Sequence, residues 1–364
     1  RTVRKAPVDG ASLTLTIDRN IQQAAEAALK ANVEKYRADS GSVAMMDPKS
    51  GQILAMASYP DYDPNRYGEV TDYTAFTNQS VEAAYEPGSV FKVITMAAGI
   101  DTGKFSPETK FTDSGQVTIS GHTIKNADKK AHGEVTMSYV LARSLNVGTV
   151  YALSQFGADA FYRYIGRFGF GTGTGIELEG ESAGSVQKQK GASPLDVAAM
   201  TFGQGITVTP LQMLVAVGSV ANGGQMLQPH IVESIQDPGG QRETPGTRVV
   251  RRTVSEEAAK SLTTMMETVV TDGWGKPAAV PGYRVAGKTG TAQIPRKDGK
   301  GYEESATIGT FVGFAPAEDP KFVMITRLDR PKGVGFSEEP AAWLWKDIAK
   351  FTLDYFQVPP KAAP

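Results

Sequence analysis

Ser40-Gly41-Ser42-Val43-Ala44-Met45-Met46-Asp47 and Gly51-Gln52-Ile53-Leu54-Ala55-Met56-Ala57-Ser58 decide how this chain is put together. Both are short apolar runs bounded by turn formers. They read as a β-hairpin over Gly41–Ala57, turning through Pro48-Lys49-Ser50-Gly51. Towards the N-terminus, Leu13–Ile17 alternates apolar residues with Thr, as a short strand does. Asp18 can then cap a helix whose apolar face is Ile21, Ala25, Ala28 and Leu29. Residues 1–11 begin basic and contain Pro7 and Gly10, so they read as a linker remnant; the chain opens on Arg1, and a piece of a longer protein is expected.

Towards the C-terminus the strand character returns. Residues 282–293 (GYRVAGKTGTAQ), 306–316 (ATIGTFVGFAP) and 321–328 (KFVMITRL) read as three strands separated by Gly, Pro or charged turns. Leu344, Ile348, Phe351 and Tyr355 then fall on one face of a closing helix. Between the two ends, Val135–Leu145, Asp159–Phe168, Pro194–Thr201, Leu211–Ala221 and Ser255–Val270 carry helical patterns. Strands at both ends and helices between them predict one sheet built from both termini, with terminal helices packed on it. The middle becomes a helical insertion beside that sheet. The fold class is α/β plus all-α, with an α/β part at about 12–75 and 280–364 and a mainly helical part at about 76–279. A cleft between two such parts is a favoured place for a site.

Composition narrows the functions. Of 364 residues, 40% are apolar and 21% charged, as in ordinary folded proteins. Net charge is −1, so no global field draws the chain to nucleic acid. The basic clusters at Lys125–Lys130 and Arg248–Arg252 read as solvated loops or edges. There is no cysteine, which removes disulfides, thiolate metal sites and a Cys nucleophile. No apolar run reaches the roughly 18 residues of a membrane span.

Three short motifs carry chemistry. In Glu86-Pro87-Gly88-Ser89-Val90-Phe91-Lys92, chain breakers precede an apolar run, so a helix starts near Ser89 and places Ser89 and Lys92 on one face. A serine hydroxyl needs a base to become a nucleophile, and a Lys serves if burial or a neighbouring cation lowers its pKa. The bland alternative is an exposed Ser and a solvated Lys. In Ser144-Leu145-Asn146, the hydroxyl and amide could relay a proton and hold a peptide group. Alternatively Asn146 and Gly148 merely cap a helix end. In Ala286-Gly287-Lys288-Thr289-Gly290-Thr291, small residues flank a charge and two hydroxyls suited to a carboxylate. A bulged edge strand would look similar. Residues 282–289 also match the phosphate-loop pattern G-x-x-x-x-G-K-[ST], which requires a helix opening at Lys288, yet the segment reads as strand.

S-x-x-K, S-x-N and K-T-G in this order and context resemble the signature set of penicillin-binding proteins and active-site serine β-lactamases. Residues 41–65, 85–92, 132–148, 168–181, 201–213, 220–224 and 281–293 further resemble class B penicillin-binding proteins, the monofunctional transpeptidases of elongation and division. The likeness spans nearly all of 12–356 and implies one transpeptidase domain at 12–364, with an antiparallel sheet. Ser144-Leu145-Asn146 departs from the pattern only in its middle residue. The resemblance implies that Ser89 attacks a D-Ala-D-Ala stem peptide of peptidoglycan with Lys92 as base. Ser144 and Lys288 would join the proton network, and Asn146 would hold Lys92 and the donor. Thr289, Gly290 and Thr291 would bind the substrate, the two threonines at its terminal carboxylate. The backbone N–H groups of Ser89 and Thr291 would form the oxyanion hole. It implies no cofactor or metal, β-lactam antibiotics as inhibitors, and a polytopic glycosyltransferase with other cell-wall machinery as partners. It also implies an extracytoplasmic location, with an N-terminal membrane anchor outside this chain.

His122, His132 and His230 are scattered; His132 reads as lying at a helix start and His230 in a loop. No Ser-His-Asp pattern or metal spacing appears. Gly169–Gly175 reads as turn, and Gln204 as a buttress of the cleft. Two rivals use the same serine: a D,D-carboxypeptidase or β-lactamase, and a non-enzymatic β-lactam receptor. Glu177, Glu179 and Glu181 lack an Asn four residues on, which argues against a class A β-lactamase.

Overall fold

A computed structural model describes residues 9–296 and 301–361. Most of the expected linker lies outside them. Five strands form one antiparallel sheet: β1 (Ser40–Met46), β2 (Ile53–Tyr59), β3 (Ala286–Pro295), β4 (Tyr302–Ala315) and β5 (Phe322–Asp329). Their order is β3-β4-β5-β1-β2, so β5 from the far end of the chain pairs with β1 at Val43↔Thr326. This is the expected sheet from both termini.

Both faces of the sheet are covered. Val43, Met45, Phe311 and Met324 pack under helices α1 (Arg19–Tyr36) and α8 (Glu338–Tyr355), around the fully buried Trp345. Ala44, Met46, Val312 and Val323 face the helical block instead. A strand buried on both sides has no need to alternate, which is why 43–46 and 322–325 read as continuous apolar runs. Along the chain the block contains α2 (Lys92–Asp101), α3 (Met137–Ala142), α4 (Asn146–Arg167), α5 (Pro194–Met200), α6 (Pro210–Ala221) and α7 (Glu256–Thr271). Ser193 and Thr209 close capping boxes at α5 and α6.

Several expectations are corrected. The first strand, Ser12–Leu15, does not join the main sheet. All four of its residues are exposed, and it pairs with Val232–Gln236 in an outlying ribbon. His132 precedes a strand, Gly133–Thr136, rather than a helix. His230 lies outside the named strands and helices, as expected, and is buried there, its carbonyl accepting from Ile53 N–H. Asn126, inside the cluster read as solvated, is buried and accepts from Val147 N–H at the start of α4. α4 also begins earlier than expected, at Asn146, and bends at Gly157. Residues 282–289 run straight into β3, so the helix demanded by a phosphate loop is absent.

Candidate active site

β3 is an edge strand, and its free side faces the start of α2. Glycines set that approach. A Cβ on Gly290 would stand 3.1 Å from the Pro87 carbonyl and 3.2 Å from Val90 N. Gly88 takes φ +57°, and a Cβ there would meet the Thr291 carbonyl at 2.7 Å. Glycine in this strand therefore marks the approach of the chain's own Ser89 segment, not only of a ligand. Ser89 itself lies in a 3-10 turn, Gly88–Phe91, that leads into α2. It is half-buried at the wall of a 420 Å³ cleft, together with Ser144, Asn146, Thr289 and Thr291.

Lys92 opens α2 and is fully buried. Its Nζ donates to Ser144 O (2.5 Å), Ser144 Oγ (3.1 Å) and Asn146 Oδ1 (2.7 Å), not to Ser89. Lys288, also fully buried, donates from the opposite wall to the same Ser144 Oγ (3.1 Å), to Thr289 O (2.9 Å) and to Thr289 Oγ1 (3.3 Å). Ser144 Oγ thus joins two lysines from distant parts of the chain. Burial pushes the Lys92 amine well below the ordinary lysine value, and the Lys288 charge pushes the same way. Burial lowers Lys288 to about 7, against a weaker upward pull from the Glu338 carboxylate.

The S-x-N corner is built by a helix end, though not as a simple cap. Ser144 has φ +58°. Its N–H bonds Leu141 O and the Leu145 N–H bonds Val140 O, the two bonds of a Schellman motif in which glycine is the usual residue. Asn146 and Gly148 belong to the following helix. Asn146 Nδ2 donates to Lys125 O (2.9 Å), so both ends of its amide are held. Trp274 clamps the same corner, from its backbone N–H to Ala142 O (3.2 Å) and from Nε1 to Arg143 O (3.1 Å).

The description "penicillin binding protein transpeptidase domain" matches residues 41–350. The chain belongs to this family. Among curated members of this penicillin-binding family, it is 37% identical to Stage V sporulation protein D of Bacillus subtilis over 98% of the chain and 55% of that protein. It is 34% identical to the probable peptidoglycan D,D-transpeptidase PbpC of Pseudomonas aeruginosa, covering 98% of the chain and 61% of that protein. The chain thus spans little more than half the length of these relatives. The crystal structure of penicillin-binding protein 3 from Mycobacterium tuberculosis complexed with ampicillin superposes with a TM-score of 0.93 at 32% identity, over 100% of this chain and 82% of that one.

The cleft holds residues that sequence reasoning did not single out. Glu86 lies on its wall, its carboxyl pushed up by burial and held by Gly205 N–H (2.9 Å) and Tyr302 O–H (3.1 Å). Tyr302 is itself pushed up to about 12, by burial and by that carboxylate. Gln204 donates to Gln293 Oε1 across the cleft (3.1 Å), as a buttress would. Trp274 and Phe336 form a ring pair, with centroids 5.6 Å apart, along the same wall. Glu338 accepts from the Thr291 hydroxyl. Nothing in the sequence pattern around Glu338 distinguishes it from an acidic first turn of a helix. Among the described residues no cluster suited to a metal ion occurs, and no helix is long and apolar enough to cross a membrane.

Proposed function

We propose that this chain is a serine D,D-transpeptidase domain that acts on D-Ala-D-Ala stem peptides of peptidoglycan and is acylated by β-lactams. One observation carries the reading: two fully buried lysines converge on the Ser144 hydroxyl, and one of them, Lys92, lies three residues along the chain from Ser89 at the cleft wall. Two ammonium groups cannot both stay charged there, because burial and mutual repulsion each favour a neutral amine. A neutral Lys92 takes the Ser89 proton as Ser89 Oγ attacks the carbonyl carbon, and an ester forms. The proton passes through Ser144 to the D-Ala nitrogen as the C–N bond breaks. Backbone N–H groups of Ser89 and Thr291 stabilise the oxyanion, each worth about 3 kcal/mol in comparable acyl transfers. Thr289 and Thr291 receive the terminal carboxylate. An acceptor amine then attacks the ester and frees Ser89 Oγ.

Supporting this reading, relatives at 34% identity or below carry the name peptidoglycan D,D-transpeptidase, and a structural neighbour was solved with ampicillin. An extracytoplasmic position, an anchor outside this chain and a glycosyltransferase partner belong to the same proposal, because the substrate lies outside the cytoplasm. The test offers the protein a stem-peptide thioester and a D-amino acid as acceptor. The expected product joins donor to acceptor, while release of the free acid alone would favour a carboxypeptidase.

A further inference from the structure

Thr291 is exposed to the cleft and is one of the two hydroxyls assigned above to a ligand carboxylate. Its hydroxyl hydrogen is already given to another carboxylate, that of Glu338. This arrangement is built, not incidental. Gly309 lies opposite Thr291 in the β3–β4 ladder. The place of its missing side chain is filled by the first turn of α8: a Cβ on Gly309 would stand 1.7 Å from Ser337 O and 3.1 Å from Glu338 N. Ser337 Oγ and Thr307 Oγ1 meet at 2.5 Å and fasten the same turn to β4. The strand pair therefore seats Glu338 over Thr291. Glu338 is half-buried, and among the described residues no Lys or Arg forms an ion pair with it.

A hydroxyl has one hydrogen to give. Two carboxylates at one hydroxyl also repel, more strongly in a partly buried cleft than in water. We propose that Glu338 is a charge gate on the carboxylate subsite: its side chain holds Thr291, so any ligand that brings a carboxylate there must displace a like charge. The residue then sets how the cleft discriminates among β-lactams and donor peptides by the charge they carry beside the scissile amide. This inference rests on the functional reading above. Glu338 bonds Thr291 and neither Ser89 nor Lys92, although its charge reaches both buried lysines.

The test compares a penicillin bearing its free carboxylate with the methyl ester of the same penicillin. Second-order acylation rate constants are measured by intact mass for wild type and Glu338→Gln. Gln keeps an oxygen acceptor for Thr291 and removes only the charge, so equal melting temperatures are expected. Removing the charge also makes the two lysines less positive, which disfavours the acid and not the ester, so this effect opposes the predicted rise and cannot imitate it. The proposal predicts that this ratio rises about tenfold in Glu338→Gln, roughly one pKa unit's worth of interaction. A ratio unchanged within about twofold, or lowered, overturns the gate while leaving the transpeptidase reading intact. Absence of any adduct on wild type with either probe overturns the functional reading and the gate together.

Discussion

Ser144 is distinguished by its backbone as well as by its hydroxyl. An L-residue in the left-handed region costs about 1 kcal/mol, which glycine does not incur. The glycine-like slot is kept by a serine whose Oγ meets both lysines. Ser144→Ala and Ser144→Gly both lose that oxygen, but only Gly relieves the strain. Urea unfolding is expected to find the Gly variant about 1 kcal/mol more stable than the Ala variant, with penicillin acylation slowed by orders of magnitude in both. Equal acylation in either would remove Ser144 from the proton path. The lysines set the pH dependence. An amine is a base only when neutral, and burial together with the Lys288 charge holds the proposed base, Lys92, well below the ordinary 10.5. Its neutral form is populated far below the pH an exposed lysine needs. Acylation is therefore expected to level off well short of pH 10, whereas an exposed lysine base would keep the rate climbing towards pH 10. The residue types of the site were legible in the sequence as three spaced motifs. Their bonding was not: Lys92 shares a turn with Ser89, yet its partners are 52 and 54 positions away.

At the scale of elements, close packing of backbone on backbone holds the Ser89 segment. Gly203 and Gly88 stack, a Cβ on Gly203 reaching 2.2 Å from Gly88 O, and Gly88 in turn presses on Thr291. Gly88→Ala meets both a strained φ and a clash with the Thr291 carbonyl. It is expected to cost about 1–3 kcal/mol in chemical denaturation and to slow acylation sharply by separating Ser89 from β3. Unchanged acylation would show that this contact does not set the site. Element boundaries explain what the sequence hid. Asn146 and Gly148 read as helix stops, because alone they favour ends. In the fold, Gly148 is buried inside α4, where a Cβ would meet Val140 Cγ1 at 2.4 Å. That glycine serves helix packing, which only tertiary contact reveals. The Ser12–Leu15 strand was legible as a strand but not in its partner, since an exposed ribbon carries no burial pattern to fix its sheet.

At the scale of the molecule, the site exists only where the two ends of the chain close on the middle. β3, from the C-terminal third, brings Lys288 to a serine at the end of α3 and to the Ser89 segment before α2. The sheet that carries β3 shares one apolar cluster with the helical block, from Ala44 to Val323, so sheet and block are not separate cores. This is why strand-rich ends and a helical middle were enough to anticipate the cleft, while Glu338, placed by α8 over β3, was not. We propose that this closure makes Ser89 the acylated residue. Labelled penicillin followed by intact mass and peptide mapping is the test. A single long-lived label is expected on the peptide containing Ser89, lost in Ser89→Ala with the melting temperature unchanged. A label on any other residue, or one that persists in Ser89→Ala, would contradict it.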